Sequence, residues 1–325
     1  MGNGFRALRR RILTPDVSET SLAKRGFHVK DEESKQVLEK IGETFLTGYG
    51  DAIESATPEE TGERLAAIPT RFRGFSYEGA GMGLAMLDGL PFGHKHHVED
   101  FLAGPGDPHN YLVLVGIGWA MARLPRFAWP SPKRYDPLLR WLVLDGYGFH
   151  QAYFHTQKYV HEQRSSPHFS WPAGNNGYAT RVIDQGIGRA LWFVCGSDAD
   201  LATSTVAQFA AHRQGDLYAG IGLAATYAGE VEEDELRLLL ERAGKHRGEL
   251  AQGSAFAAEA RVRGGLVVPH NELATNILCG LPVEKAARIT QDVRPGVVVD
   301  GDVPAYQTWR EDIAREILAV GSFTS

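Results

Sequence analysis

A short motif of small residues, Gly-x-Gly/Ala-x-Ala, recurs along this chain. It stands at Gly81-Met82-Gly83-Leu84-Ala85, Gly116-Ile117-Gly118-Trp119-Ala120, Gly186-Ile187-Gly188-Arg189-Ala190 and Gly220-Ile221-Gly222-Leu223-Ala224. Gly253-Ser254-Ala255-Phe256-Ala257 is a looser copy, and in Gly146-Tyr147-Gly148-Phe149-His150 a histidine replaces the alanine. The starts at 81, 116, 146, 186, 220 and 253 lie 35, 30, 40, 34 and 33 residues apart. Periods of this size mark helical-hairpin repeats. Glycine inside a helix costs about 1 kcal/mol relative to alanine. Paired small residues at regular spacing therefore predict helices whose backbones approach closely. A dinucleotide-binding loop also uses Gly-x-Gly, but no copy here follows a strand pattern or reaches the third glycine of that fingerprint.

The remaining signals are helical as well. Leu38, Ile41, Phe45, Tyr49 and Ile53 recur at spacings of three and four, one face of a helix between Asp31 and Glu54. Thr57-Pro58-Glu59-Glu60 sets a cap, a first-turn proline and a capping-box glutamate in order. Asp136-Pro137 before LLRWLVL, and Ser197 with Asp200 before LATSTVAQFAAH, are further start signals. The best-preserved unit runs from Asp216 to Ala243: a small-residue helix ending at Gly229, then a charged helix ending at Gly244. It resembles a tetratricopeptide-type hairpin, with departures at several consensus positions. The expected fold is all-α: helical-hairpin, tetratricopeptide-like repeats forming an arc or closed ring in a single domain, 1–325. Residues 1–60 are expected to form a helical cap, 75–270 the six repeats and 271–325 C-terminal helices. Gly296 to Val299 is expected to be extended. Phe127–Tyr135 and the long polar loop His161–Tyr178 break the rhythm, and loops of such length often carry function.

Composition narrows the function classes. The net charge of −6, from 34 basic and 40 acidic side chains, argues against nucleic acid as the main partner. Cys195 and Cys279 are too few for a disulfide framework and suit a reducing cytoplasm. The longest uncharged apolar stretch, Asn110 to Ala122, is too short to cross a bilayer. The start, MGNGFRALRRRILTP, reads as a basic helix or arm. No apolar run follows its arginines, as a secretory signal would require, and Arg6 stands where a myristoylation signal wants Ser or Thr. Membrane contact is expected to be no more than a weak surface contact of this arm.

Candidate chemistry concentrates in the middle of the chain. LDGYGFHQAYFHTQKYVHE holds Asp145, His150 and His155, and IDQGIGRALWF holds Asp184 and Arg189. In stacked repeats Asp145 and Asp184 project from equivalent faces, and a histidine at a small-residue position needs space and a partner. Asp145, His150, His155, Asp184 and Arg189 are therefore the candidate catalytic residues, for acid–base work or ligand orientation in a concave groove. The bland alternative is a capping aspartate, a buried hydrogen-bonded histidine and a structural Asp–Arg pair. Five of the six tryptophans lie between Trp119 and Trp192. Core packing accounts for most of these aromatics, but beside Asp and His they suit a pocket for a flat, apolar or conjugated ligand. Trp119, Trp141, Phe149, Tyr153 and Trp192 are the candidate lining residues. His94, His96 and His97 match no familiar zinc helix and read as a solvated turn. No metal is assigned, and no cofactor motif is present to name one.

Six segments in order, FRGFSYEGAGMGLAMLDGL, FLAGPGDPHNYLVLVGIGWAMARLPR, DPLLRWLVLDGYGFHQAYF, DQGIGRALWFVCGSDAD, LYAGIGLAATYAGEV and LAQGSAFAAEARVR, resemble the enediyne biosynthesis UnbL-type family. The likeness covers roughly residues 25 to 317. That family is encoded beside enediyne polyketide synthases, so the resemblance implies bacterial secondary metabolism on the way from a linear polyene to the enediyne core. The implied partners are a polyene or polyketide intermediate and other proteins of that pathway. The family brings no established catalytic residues to carry over. Two functions follow as expectations: a polyene-modifying enzyme or an essential subunit of one, and a non-catalytic repeat scaffold that docks the synthase or partner enzymes.

Overall fold

The computed structural model describes residues 3–91, 94–165, 169–172 and 174–323. Met1 and Gly2 of the basic arm, and Ser166, Pro167, His168 and Ala173 of the long polar loop, lie outside the described residues. Among the described residues the chain is all-helical, with no strand. Gly296–Val299 is irregular: Val297 and Val299 are exposed while Val298 packs on the core.

The α-helices in chain order are α1 (Asn3–Leu13), α2 (Leu22–Arg25), α3 (Glu32–Glu54), α4 (Pro58–Ala66), α5 (Thr70–Gly89), α6 (His97–Leu102), α7 (Asn110–Arg123) and α8 (Leu142–Phe154). They continue as α9 (Asn176–Val194), α10 (Ala199–Ala207), α11 (Ala211–Tyr227), α12 (Glu233–Ala243), α13 (Arg247–Arg263), α14 (Pro269–Leu278), α15 (Val283–Asp292) and α16 (Ala305–Val320). Local chemistry sets their ends. Asp31 accepts from the Ser34 amide, and Thr57 accepts from the Glu60 amide while Glu60 accepts from the Ala56 amide. The cap of α10 is Asp198, which accepts from the Leu201 amide, rather than Ser197 or Asp200. Asp136 accepts from the Leu138 and Leu139 amides and opens a 3₁₀ turn, Leu139–Trp141, before α8.

Seven of these helices, α3, α5, α7, α8, α9, α11 and α13, pack side by side in that order. The glycines explain how. Residues i and i+2 of a helix point about 200° apart, so Gly-x-Gly bares both flanks. Gly116, Gly146, Gly186, Gly220 and Gly253 each lie against a carbonyl of the preceding helix in the row. Gly118, Gly148, Gly188 and Gly222 each lie against a carbonyl of the following one. A Cβ at any of these nine positions would run into that backbone. In α5 this role falls to Gly79, against Phe45 of α3, and Gly81, against Val113 of α7. The true register of the first copy is thus Gly79-Ala80-Gly81, two residues earlier than the sequence motif suggested.

Neighbours in the row run parallel. Trp141 meets Tyr178 near the starts of α8 and α9, and Tyr153 meets Phe193 near their ends. The row also folds back on itself. Arg261, near the end of α13, donates to the Arg71 carbonyl at the start of α5 (3.1 Å), and Arg263 pairs with Asp107 before α7 (3.0 Å). The helix α3 of the expected cap is itself a member of the row, through Gly48 against Ser76. Short helices α4, α6, α10 and α12 return the chain between some row members. Three 3₁₀ turns join α7 to α8 instead, and a single π turn, Gln157–His161, follows α8. No helix is long and apolar enough to cross a membrane among the described residues.

Candidate functional site

The glycine flanks fix which side chains face inward. The residue just before the first glycine of each pair and the one three after it are one helical turn apart, on the same face. These positions are Glu78 and Met82, Val115 and Trp119, Asp145 and Phe149, Gln185 and Arg189, Ala219 and Leu223, and Gln252 and Phe256. All of them line the connected spaces enclosed by the row.

Two apolar cavities meet at Arg189. The first, of about 60 Å³, lies among Phe45, Phe75, Met82, Trp119, Phe149, Tyr153 and Phe193. Pro15, Glu19 and Thr20 reach over it from the segment after α1. The second, about 40 Å³, lies among Tyr111, Leu142, Leu223, Tyr227 and Phe256. Phe75, Arg189 and Phe193 belong to both.

Between them is a buried trio of ionisable groups. The Arg189 guanidinium donates to Asp145 in a short ion pair and to Glu78 at 3.5 Å. The Trp119 indole N–H donates to the same Glu78 oxygen at 3.0 Å. Arg189 lies over the Phe149 ring, its guanidinium carbon 5.1 Å from the ring centre. Burial pushes both carboxyls above their ordinary range, and the attraction of Arg189 opposes that push in each case. Three groups on α5, α8 and α9, with the indole of α7, thus form one polar island inside an aromatic wall.

The sequence candidates divide accordingly. Asp145, Arg189, Trp119, Phe149 and Tyr153 come together at the island and the first cavity. Asp184 does not join them: it takes a two-point contact from Arg213, at 2.9 and 2.6 Å. His150 bonds to neither Asp145 nor Asp184. Its ring stands edge-on to Trp119 at 5.6 Å and against Phe154 at 4.7 Å, and its Nδ1 has no partner among the described residues. Burial pushes its pKa down to about 3, so it is neutral. His155 is exposed at the end of α8. Trp141 packs between Trp171 and Tyr178, away from the first cavity. Trp192 donates to the Gly229 carbonyl at 3.2 Å. His94, His96 and His97 pair with Asp100, Glu99 and Asp88, and no group of three or more ligating side chains could hold a metal among the described residues. Both cysteine thiols are buried and pushed up to about 12.

Glu78 was missed by sequence reasoning, and so was Phe75 one turn before it. The signal was present: Glu78 precedes Gly79 as Asp145 precedes Gly146. Starting the first copy at Gly81 hid that equivalence.

With the site described, its relatives can be stated. A family model described as "protein of unknown function (DUF1702)" matches residues 4–317, nearly the whole chain, and the chain belongs to that family. No curated protein and no solved structure matches it.

Proposed function

We propose that this member of the DUF1702 family takes part in bacterial enediyne polyketide biosynthesis, binding or acting on an apolar, conjugated polyene intermediate during core formation. The observation that carries this reading is the aromatic-lined cavity with a buried Glu78–Arg189–Asp145 island on its wall. Phe45, Trp119, Phe149 and Tyr153 offer ring faces and edges to a flat π-system, worth more than burial alone. The island adds fixed polar groups in a dry setting, the usual make-up of a small-molecule site. The ordered motifs that resemble the UnbL-type family support the pathway assignment. In the same reading the row is a curved array of helical repeats, an arc closing toward a ring, and the protein works in the cytoplasm.

A second reading is a non-catalytic scaffold that docks the synthase or partner enzymes. Its support is the surface groove lined by Leu90, Pro91, Phe127, Ala128 and Trp129, with Phe127 93% exposed.

Two experiments test the proposal. Diphenylhexatriene, a rigid conjugated hydrocarbon, should bind the purified protein and gain fluorescence, and Phe149→Ala and Tyr153→Ala should weaken it. Deletion of the gene in a producing strain should stop the enediyne and let a polyene precursor accumulate. No binding together with an unchanged metabolite profile refutes the reading.

A further inference from the structure

Two carboxyls share one cation inside this fold. Asp145 holds Arg189 in the close ion pair, and Glu78 receives the longer contact at 3.5 Å. Two other cations nearby are engaged elsewhere. Arg310 of α16, on the Asp145 side, pairs with Asp216 at 3.0 Å. Arg261 of α13 lies over the Tyr227 ring, 3.9 Å from its centre. Arg123 and Glu19 stand on the wall of the first cavity, and His150 beside Trp119 is neutral. A second ionised carboxylate here would be buried without a cation of its own, a state that proteins relieve by taking up a proton.

Distance says which carboxyl takes it: Arg189 is close upon Asp145 and reaches Glu78 only at 3.5 Å. Both donors that reach Glu78, the Trp119 indole and the Arg189 guanidinium, converge on Oε1. No hydrogen bond to Oε2 is formed among the described residues. A neutral acid has this division: a carbonyl oxygen that accepts and a hydroxyl that donates. The hydroxyl is left for whatever fills the cavity that Glu78 lines.

We propose that Glu78 is held as the neutral acid at neutral pH, and that its hydroxyl selects ligands with a hydrogen-bond-accepting oxygen, such as a carbonyl, within an apolar conjugated body. The ligand half rests on the small-molecule reading above; the protonation half does not. A neutral donor suits this cavity because it binds a carbonyl without bringing a net charge into an apolar wall. Asp145 is the positioning residue: by occupying Arg189 it keeps the proton on Glu78.

Infrared difference spectra of the full chain at pH 7 test the protonation half, with a Glu259→Gln protein as the parent because Glu259 is itself half-protonated near pH 7. The parent should show one protonated-carboxyl C=O band that Glu78→Gln removes. Asp145→Asn should remove it too, because Arg189 then neutralises an ionised Glu78. Absence of the band in the parent, or its persistence in folded Glu78→Gln, overturns the proposal. Should Glu78→Gln not fold, the same band in Asp145→Asn decides: its survival there overturns the proposal. Tryptophan quenching tests the ligand half with two probes of similar shape, dibenzylideneacetone, which has a central ketone, and diphenylhexatriene, which has none. Glu78→Leu should weaken the ketone about tenfold, the loss of one hydrogen bond of about 1.4 kcal/mol, and leave the hydrocarbon unchanged. Glu78→Gln should retain the ketone, since its amide still donates. Equal loss of both probes overturns the selection. Binding of neither probe by the parent overturns the ligand assignment together with the small-molecule reading, while the band still decides the proton.

Discussion

Two glycines of α9 should respond in opposite directions to the same substitution. A Cβ at Gly186 would lie 2.8 Å from the Asp145 carbonyl carbon and 2.7 Å from the Phe149 nitrogen, with the carbonyl oxygen closer still. These are backbone atoms of α8 and cannot swing aside as a side chain does. Relief requires the two helices to part by about 1 Å, which loosens dispersion contacts along their whole length and the Arg189–Asp145 pair between them. Overpacking costs about 1–3 kcal/mol, with rigid partners at the upper end. Alanine returns about 1 kcal/mol through helix propensity, so Gly186→Ala should lose about 2 kcal/mol net. An unfolding entropy of about 2.1 cal/mol/K per residue, over 325 residues, turns that into a melting point lower by about 3 °C. Gly177, exposed in the first turn of the same helix, has nothing within 4 Å of its would-be Cβ. Gly177→Ala should be neutral to stabilising, by up to about 0.5 kcal/mol. Differential scanning calorimetry of both variants beside the parent measures the contrast. A Gly186→Ala protein as stable as the parent would refute close backbone approach as the reason for the motif.

Further substitutions separate structure from site. Gly222→Leu, against Leu250 of α13, should destabilise by about 3 kcal/mol or more, whereas exposed Glu233→Gln should stay within about 0.5 kcal/mol; thermal melts compare them. Asp184→Asn strips Arg213 of its buried carboxylate and should cost about 3–5 kcal/mol, yet leave diphenylhexatriene affinity unchanged in the protein that remains folded. Burial holds His150 neutral down to about pH 3, so its share of stability is present above the ordinary histidine range and lost as the pH falls through that window. His150→Phe, which keeps the ring against Trp119, should flatten that acid limb in urea melts. Glu259, bonded to Gln291 at 2.8 Å, has its pKa raised to about 7 by burial. Its contribution is full below about pH 4.5 and lost as the pH rises through 7, and Glu259→Gln should remove that slope.

How much of this was legible in the sequence follows from what a repeat reveals and what it hides. The helices were readable because Leu38 to Ile53 keep their period and because Asp31, Thr57 and Asp136 are true caps. Close approach was readable because six copies of paired small residues have no purpose in isolated helices. The cation partner of each aspartate was not, because helix neighbours are set in space. Asp184 is five residues from Arg189 in sequence, yet it pairs with Arg213 on α11 while Arg189 reaches back to Asp145 on α8. Glu78 was hidden by register alone. Gly79, Gly81 and Gly83 all pack against backbone, so three glycines offer two readings of one motif, and only their neighbours choose between them.

The same geometry separates the work of stability from the work of the site. Flank positions carry glycine, and a side chain there would cost helix packing whatever its chemistry. The inward positions one turn apart face open space, so their identity is free of that constraint. Val115 and Ala219 keep the wall apolar where Glu78, Asp145 and Arg189 interrupt it with charge. A buried Asp145–Arg189 ion pair with a polar acid beside it costs desolvation energy that an apolar trio of similar size would not. Stability therefore gives no reason for charge at three inward places on α5, α8 and α9. Nor does helix propensity, since leucine or methionine serves a helix as well as glutamate. What the trio offers is a fixed donor and acceptor pattern on an apolar surface, and on the proposed reading that pattern serves a ligand that enters the cavity.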